Sequence, residues 1–213
     1  GSESYIGKAP DIDISINYNV FKTDFNSIPC EIPYLKIPKK KIKKWREFIG
    51  NDGFKIGINW QGNASSIADK GRSFSKKMFK EMSEMKEVRL ISVQKELQIN
   101  ECDNFIDNIK IEKISENFDK EDEAFLDSAA ILKACDLVIT SDTAIAHLSG
   151  SLGIKTWLVL QYIPDWRWML NINYSPWYKS MKIFRQSKLD DWNSAFNEIN
   201  KELKTLILSQ KKL

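Results

Sequence analysis

The stretch Leu137-Val-Ile-Thr-Ser-Asp-Thr-Ala-Ile-Ala-His147-Leu-Ser-Gly-Ser-Leu-Gly153 decides how this chain is read. Leu137 to Thr140 reads as a short buried strand that stops at Ser141-Asp142-Thr143 and turns at once into a small-residue helix over Thr143 to Leu152. Thr143 can cap that helix, with the amides of Ala144 and Ile145 pointing outward. A helix N-terminus carries unpaired N–H groups, and in open α/β sheets it lies where nucleotides bind. Ala144, Ala146, Ser149 and Gly150 also suit a core helix packed tightly on its sheet, so the residues alone leave both readings open.

The elbow belongs to an alternating series. Upstream, Phe54 to Trp60 reads as a strand, Ser75 to Met85 as a helix and Val88 to Val93 as the next strand. A weaker strand is expected near Asn104 to Ile109, then a helix over Asp122 to Cys135 with Phe125, Ala129 and Leu132 on one face. Downstream come strands at Thr156 to Leu160 and Met181 to Phe184. A last helix, opened by Leu189-Asp190-Asp191, sets Trp192, Phe196, Ile199, Leu203 and Leu206 on one stripe. The alternation predicts an α/β fold over residues 54–213, a Rossmann-like parallel sheet with helices on both faces. Right-handed crossovers gather the C-terminal strand ends on one edge, where a site is expected. Residues 1–53 read as an irregular N-terminal arm holding four of the six prolines and ending in a Lys-rich helix around Lys39 to Ile49.

With 213 residues, the chain fits one large domain or one domain with an extra arm. A hydrophobic content of 42% against 29% charged residues is ordinary for a globular protein. The formal charge of +3 is too small to argue for nucleic acid. Lys36, Lys39, Lys40, Lys41, Lys43 and Lys44 alternate with Ile37, Ile42 and Trp45 and read as the solvated face of a connecting helix. Cys30, Cys102 and Cys135 are far apart and odd in number, which suits a reducing, cytoplasmic compartment. His147 is the one histidine and has no Cys or His nearby in sequence, so no metal site is expected. No apolar run approaches membrane-spanning length and no signal peptide is seen. Gly1-Ser2 reads as a cloning remnant, so the natural chain is expected to begin upstream.

Four loops should converge at the sheet edge. Gln61 to Ser73 carries Lys70 and Arg72 on either side of Gly71, two cations that suit a diphosphate or, equally, an ordinary solvated loop. Gln94 and Lys95 follow the second strand, where their backbone can line a nucleobase pocket. His147 lies one turn after Thr143 and can donate to a ligand, act as a general base, or sit buried on a backbone carbonyl. Ser141, Asp142 and His147 do not make a triad, and no G-x-S-x-G elbow occurs. Tyr162 to Tyr178 is rich in aromatics that either close the sheet edge or flank an Arg167 that stacks or bridges to an acid. Neither a G-x-G-x-x-G after the first strand nor a P-loop is found.

Read together, Gly57 to Asn63, Asp69 with Arg72-Ser73, Ser92 to Lys95, Asp127 to Ala130 and Asp136 to Ile139 resemble the C-terminal half of a GT-B glycosyltransferase. The resemblance continues through Asp142 to Leu148, Pro164-Asp-Trp-Arg-Trp168, Ser175-Pro-Trp-Tyr178 and Phe184-Arg-Gln186, across about 54–192. The nearest likeness is to bacterial proteins in which tetratricopeptide repeats precede a glycosyltransferase domain, related to heptosyltransferases and O-GlcNAc transferases. It implies that this half binds a nucleotide-sugar donor, with no cofactor and no obligatory metal. Carried over, Lys70 or Arg72 neutralises the diphosphate and Thr143, Ala144 and Ile145 hold it. Asp142 and His147 then lie near the ribose or sugar, and Gln94-Lys95 near the base. The acceptor, and usually the catalytic base, belong to an N-terminal half that this chain does not show, so His147 is a weak catalytic candidate. A non-catalytic nucleotide-binding module is the rival reading.

Overall fold

The computed structural model describes residues 27–63, 65–66, 69, 71–95, 109–114, 118–119 and 124–210. Residues 27–38 carry no regular structure and run past the end of the elbow helix, where the Tyr34 amide donates to the Ser151 carbonyl at 3.1 Å. Helix α1, Lys39–Ile49, follows and buries Trp45 and Ile49. The core then alternates strand and helix. In order come β1 (Phe54–Asn59), a 3-10 turn with short α2 (Lys80–Ser83), β2 (Val88–Ser92), β3 (Ile111–Lys113) and α3 (Leu126–Lys133). After these come β4 (Leu137–Ser141), α4 (Ala144–Ser151), β5 (Thr156–Leu160), β6 (Met181–Arg185) and the long α5 (Trp192–Gln210).

All five strand pairings are parallel, and the six strands lie in the order β3-β2-β1-β4-β5-β6. This is the doubly wound arrangement, and the strand order reverses between β1 and β4. Period-two alternation sorts the side chains onto two faces. Ile56, Ile58, Leu137, Ile139, Trp157 and Val159 pack with Ala195, Phe196, Ile199 and Leu203 of α5. On the other face Ile91 and Val138 pack with α3, α4 and Trp45 of α1. The Rossmann-like sheet with helices on both faces is therefore the fold. The stripe expected on the last helix lies as read, with Phe196, Ile199 and Leu203 buried, and Asp191 caps it by accepting from the Ser194 amide at 3.2 Å.

Two local expectations change. Phe125 is not on the buried face of α3; it stands exposed just before the helix with φ +66°. The Asp119 carboxylate accepts from the amides of Asp127 (2.8 Å) and Ser128 (3.2 Å) and so sets the helix start one residue beyond Phe125. The third strand is Ile111–Lys113, while residues 104–108 of the expected weak strand lie outside the described residues. Lys70 and Cys102 lie outside them as well.

Candidate functional site

Thr143 stands at the N-cap of α4 in extended conformation, but its hydroxyl makes no bond to the helix. It donates instead to Asn59 Oδ1 at 2.8 Å, across from β4 to the end of β1. Thr140 reaches the same oxygen at 3.3 Å. The other end of the Asn59 amide donates to Gln94 Oε1 at 2.9 Å, and Gln94 Oε1 also accepts from the amides of Trp60 (3.2 Å) and Gln61 (3.0 Å). Gln94 Nε2 returns a bond to the Gln61 carbonyl at 3.0 Å. One network of buried amides and hydroxyls thus ties β2, β1 and β4 together at the point where strand order reverses. Gln94 and Gln61, read from the sequence as ligand-side residues, hold this network. Lys95 is held too, its ammonium donating to the Asp119 carbonyl at 3.2 Å.

The consequence for α4 is a first turn without a side-chain cap, open at the C-terminal edge of the sheet. Ala144 is exposed there and Ile145 buried. Beside it the Ser141 hydroxyl is buried without a hydrogen-bond partner. The Asp142 residue is only 8% exposed, and its carboxylate accepts no hydrogen bond among the described residues.

The loop after β1 is organised by Asp69. Its carboxylate accepts from the Gly62 amide (3.1 Å), the Ser73 hydroxyl (2.8 Å to each oxygen) and Arg72 Nε (3.1 Å). Arg72 is thus anchored through Nε, with its Nη2 against Gly62 of the same loop. At the loop tip Gly71 adopts φ +83°, a backbone conformation that favours glycine, and lies against the Gln161 side chain at the end of β5.

His147 follows one turn into α4. Its Nδ1 lies 3.0 Å from the Tyr178 hydroxyl, and its ring stacks on buried Trp168 at 5.2 Å and 24°. Tyr178 presses so close to α4 that a Cβ at Gly150 would lie 2.5 Å from its ring. Burial, and a bond with Tyr34, push the Tyr178 phenol up, so it stays protonated. Desolvation, then the positive charge of Arg167, hold the His147 imidazole below its ordinary 6.5, against weaker opposing pulls from Asp142 and Asp165. The imidazole is therefore neutral at neutral pH, with Nε2 its one ring nitrogen clear of Tyr178. In the aromatic loop, Arg167 pairs with Asp165 at 3.0 Å and its carbonyl takes the Trp177 indole N–H at 2.8 Å. Trp168 closes the sheet edge, while Trp166 stands exposed.

A pH dependence follows. The unfolded chain takes up a proton at His147 that the folded chain refuses, so this contribution to stability is complete above 6.5 and declines as pH falls below it. Melting of wild type and His147→Gln at pH about 7.5 and about 5.5 should show a larger acid loss of Tm in the wild type. Equal losses in both proteins would mean that His147 does not carry the effect.

Sequence reading singles out Asp142, Thr143, Ala144, Ile145 and His147, which the structure gathers at one helix end, and Arg72 and Ser73, which sit together on Asp69. It passes over Asn59 as a site residue. The signal for it was one polar residue closing an otherwise buried strand.

No family model and no curated protein matches this chain. Among solved structures, the fold is similar to E. coli ADP-heptose LPS heptosyltransferase II, with a TM-score of 0.58 at 10% sequence identity. The match covers 86% of this chain and 56% of that one, so the chain spans little more than half the length of its neighbour. At that identity the likeness is one of fold.

Proposed function

We propose that this chain is the donor-binding domain of a GT-B glycosyltransferase, akin to the tetratricopeptide-repeat-associated enzymes, that takes a sugar from a nucleoside diphosphate sugar. The observation that carries the reading is the α4 N-terminus at the strand-order reversal, left uncapped because Thr143 is turned onto Asn59. A diphosphate fits there: it accepts from the open amides of Thr143, Ala144 and Ile145 and gains from the helix dipole. Arg72, with Lys70 beside it in sequence, supplies positive charge from the neighbouring loop. Asp142, an acceptor without a donor among the described residues, suits a sugar or ribose hydroxyl. His147 Nε2 is the adjacent neutral group that can share such a hydroxyl.

In the transfer, the bond from the anomeric carbon to the diphosphate oxygen breaks and the nucleoside diphosphate leaves with the electron pair. The acceptor oxygen forms the new bond and gives up its proton to a base from the other half of the cleft. This chain's part is to stabilise the growing charge on the leaving diphosphate through fixed dipoles and cations. Acceptor binding and turnover belong to a longer protein with a second Rossmann-like half, so the chain alone should turn over little or no donor.

Calorimetry with ADP, GDP and UDP and their nucleosides tests the reading. ADP is the first to try, since the structural neighbour is named for ADP-heptose. Diphosphates should bind more tightly than nucleosides, and Arg72→Ala should cost the diphosphate roughly 10-fold while sparing the nucleoside. No heat with any nucleotide would overturn the donor-site reading. Equal weakening of both ligands would make Arg72 purely structural.

A further inference from the structure

We infer that the outer face of α1 docks on an anionic lipid surface. Charge in this chain is segregated. Residues 36–47 hold seven of the 32 Lys and Arg residues and one of the 29 carboxylates, which leaves the rest of the chain acidic by three. The fold fixes which way those cations face. Trp45 and Ile49 are buried, and Asp127 accepts from Trp45 Nε1 at 2.8 Å and from Lys41 Nζ at 3.0 Å. With that side pinned to α3, helical geometry turns Lys39, Lys40, Lys43, Lys44 and Arg46 outward, and all five are exposed. The face carries one acid, Glu47, 3.8 Å from Lys43.

This arrangement is costly for a helix of 11 residues. Its first turn is Lys39-Lys40-Lys41 with no acidic residue, so positive charge sits at the positive end of the dipole, and lysines repel one another at helical neighbour spacing. An anionic surface removes both penalties. Apolar side chains flank the cations: Phe48, 61% exposed, at the C-terminal end and Leu35, 43% exposed, just before the helix. Cations bracketed by exposed apolar groups fit a bilayer interface, where headgroups meet the charges and the apolar groups enter the boundary. A recess of about 570 Å³ along this helix is lined by four cations, Lys39, Lys43, Arg46 and Lys133, against one acid, Glu47, a net positive lining that suits anionic headgroups. It runs along α1 from Lys39 to Gly50 and Asn51, just ahead of β1. The inference does not depend on the identity of the proposed donor site.

Vesicle flotation tests the inference, comparing phosphatidylcholine alone with phosphatidylcholine containing about 30% phosphatidylglycerol. The wild type should float only with the anionic vesicles and be released by added salt. Lys40→Glu/Lys43→Glu/Lys44→Glu should lower the apparent affinity about 100-fold or more. Phe48→Ala should weaken binding less and leave its salt dependence intact. Circular dichroism should show all variants folded, and Lys40→Gln/Lys44→Gln, a milder change, should lose part of the affinity. Equal behaviour with both vesicle types, or an unchanged triple-Glu variant, overturns the inference. So does binding of a DNA duplex as tight as binding to anionic vesicles, which would make the face a general polyanion site.

Discussion

Asp127→Ala should unfold about 3 kcal/mol more readily than the wild type in urea, the largest loss expected from any single change near the site. Asp127 is only 7% exposed, and every one of its bonds joins separate parts of the chain. One carboxylate oxygen takes the Trp45 indole N–H and the Lys41 ammonium of α1, and the other takes the Asp119 amide at 3.2 Å. Burial alone would raise its pKa, yet the bonds from Trp45, Lys41 and Asp119 outweigh that and hold it below the ordinary carboxylate value. Removing the group strands a buried indole N–H and a buried amide at once, and takes one partner from the half-buried Lys41 ammonium. Asp127→Asn should fall between, since one amide oxygen can still serve Trp45 while the NH2 faces the Asp119 N–H, donor against donor. A loss below about 1 kcal/mol in the alanine variant would mean that water replaces the carboxylate and that α1 is held by Trp45 and Ile49 packing alone.

Asn59→Ala should cost roughly 2 kcal/mol of stability and, under the proposed function, lower diphosphate affinity about 10-fold. The stability loss comes from removing the acceptor shared by Thr143 and Thr140, and one of the three donors to Gln94 Oε1. The Thr143 hydroxyl is left only weaker bonds to the Ser141 carbonyl (3.4 Å) and Thr140 (3.3 Å). The affinity loss has a different origin. With Asn59 Oδ1 gone, the Thr143 hydroxyl can rotate onto the first-turn amides of α4 and cap them, competing with an anion for the same donors. Thr143→Val separates the two effects, because it removes the competing hydroxyl and leaves the helix end open. Calorimetry with ADP should therefore find Thr143→Val near wild type and Asn59→Ala weakened. Equal weakening in both would show that the Thr143 hydroxyl touches the ligand directly.

What could be read from the sequence follows from range. The strands and α5 were legible because burial repeats at short intervals: alternate residues at Ile56 and Ile58, and steps of three and four through Phe196, Ile199 and Leu203. The elbow was legible because strand, turn and helix are contiguous. Its chemistry was not. Thr143 looked like a cap on local grounds and was overruled by Asn59, 84 residues earlier, and the Gln94 side chain takes the amides of Trp60 and Gln61, 34 and 33 residues away, just beyond β1. Phe125 was misplaced for the same reason, since the start of α3 is set by Asp119 rather than by the apolar spacing. Propensity and period see neighbours along the chain, and these bonds join neighbours in space.

The occupation of the Trp60 and Gln61 amides by Gln94 gives the sheet edge a polarity. In dinucleotide-binding sheets of this strand order, the turn after β1 is the phosphate-binding end, with glycines that let pyrophosphate approach and a helix that starts at once. Here both amides leaving β1 are already spent on a glutamine side chain. Under the proposed function, the anion-accepting pole lies one strand across, at β4 rather than β1. On that reading, the placement agrees with the lack of a glycine fingerprint after Asn59, and gives the chain a single-ended cradle that one diphosphate would fill.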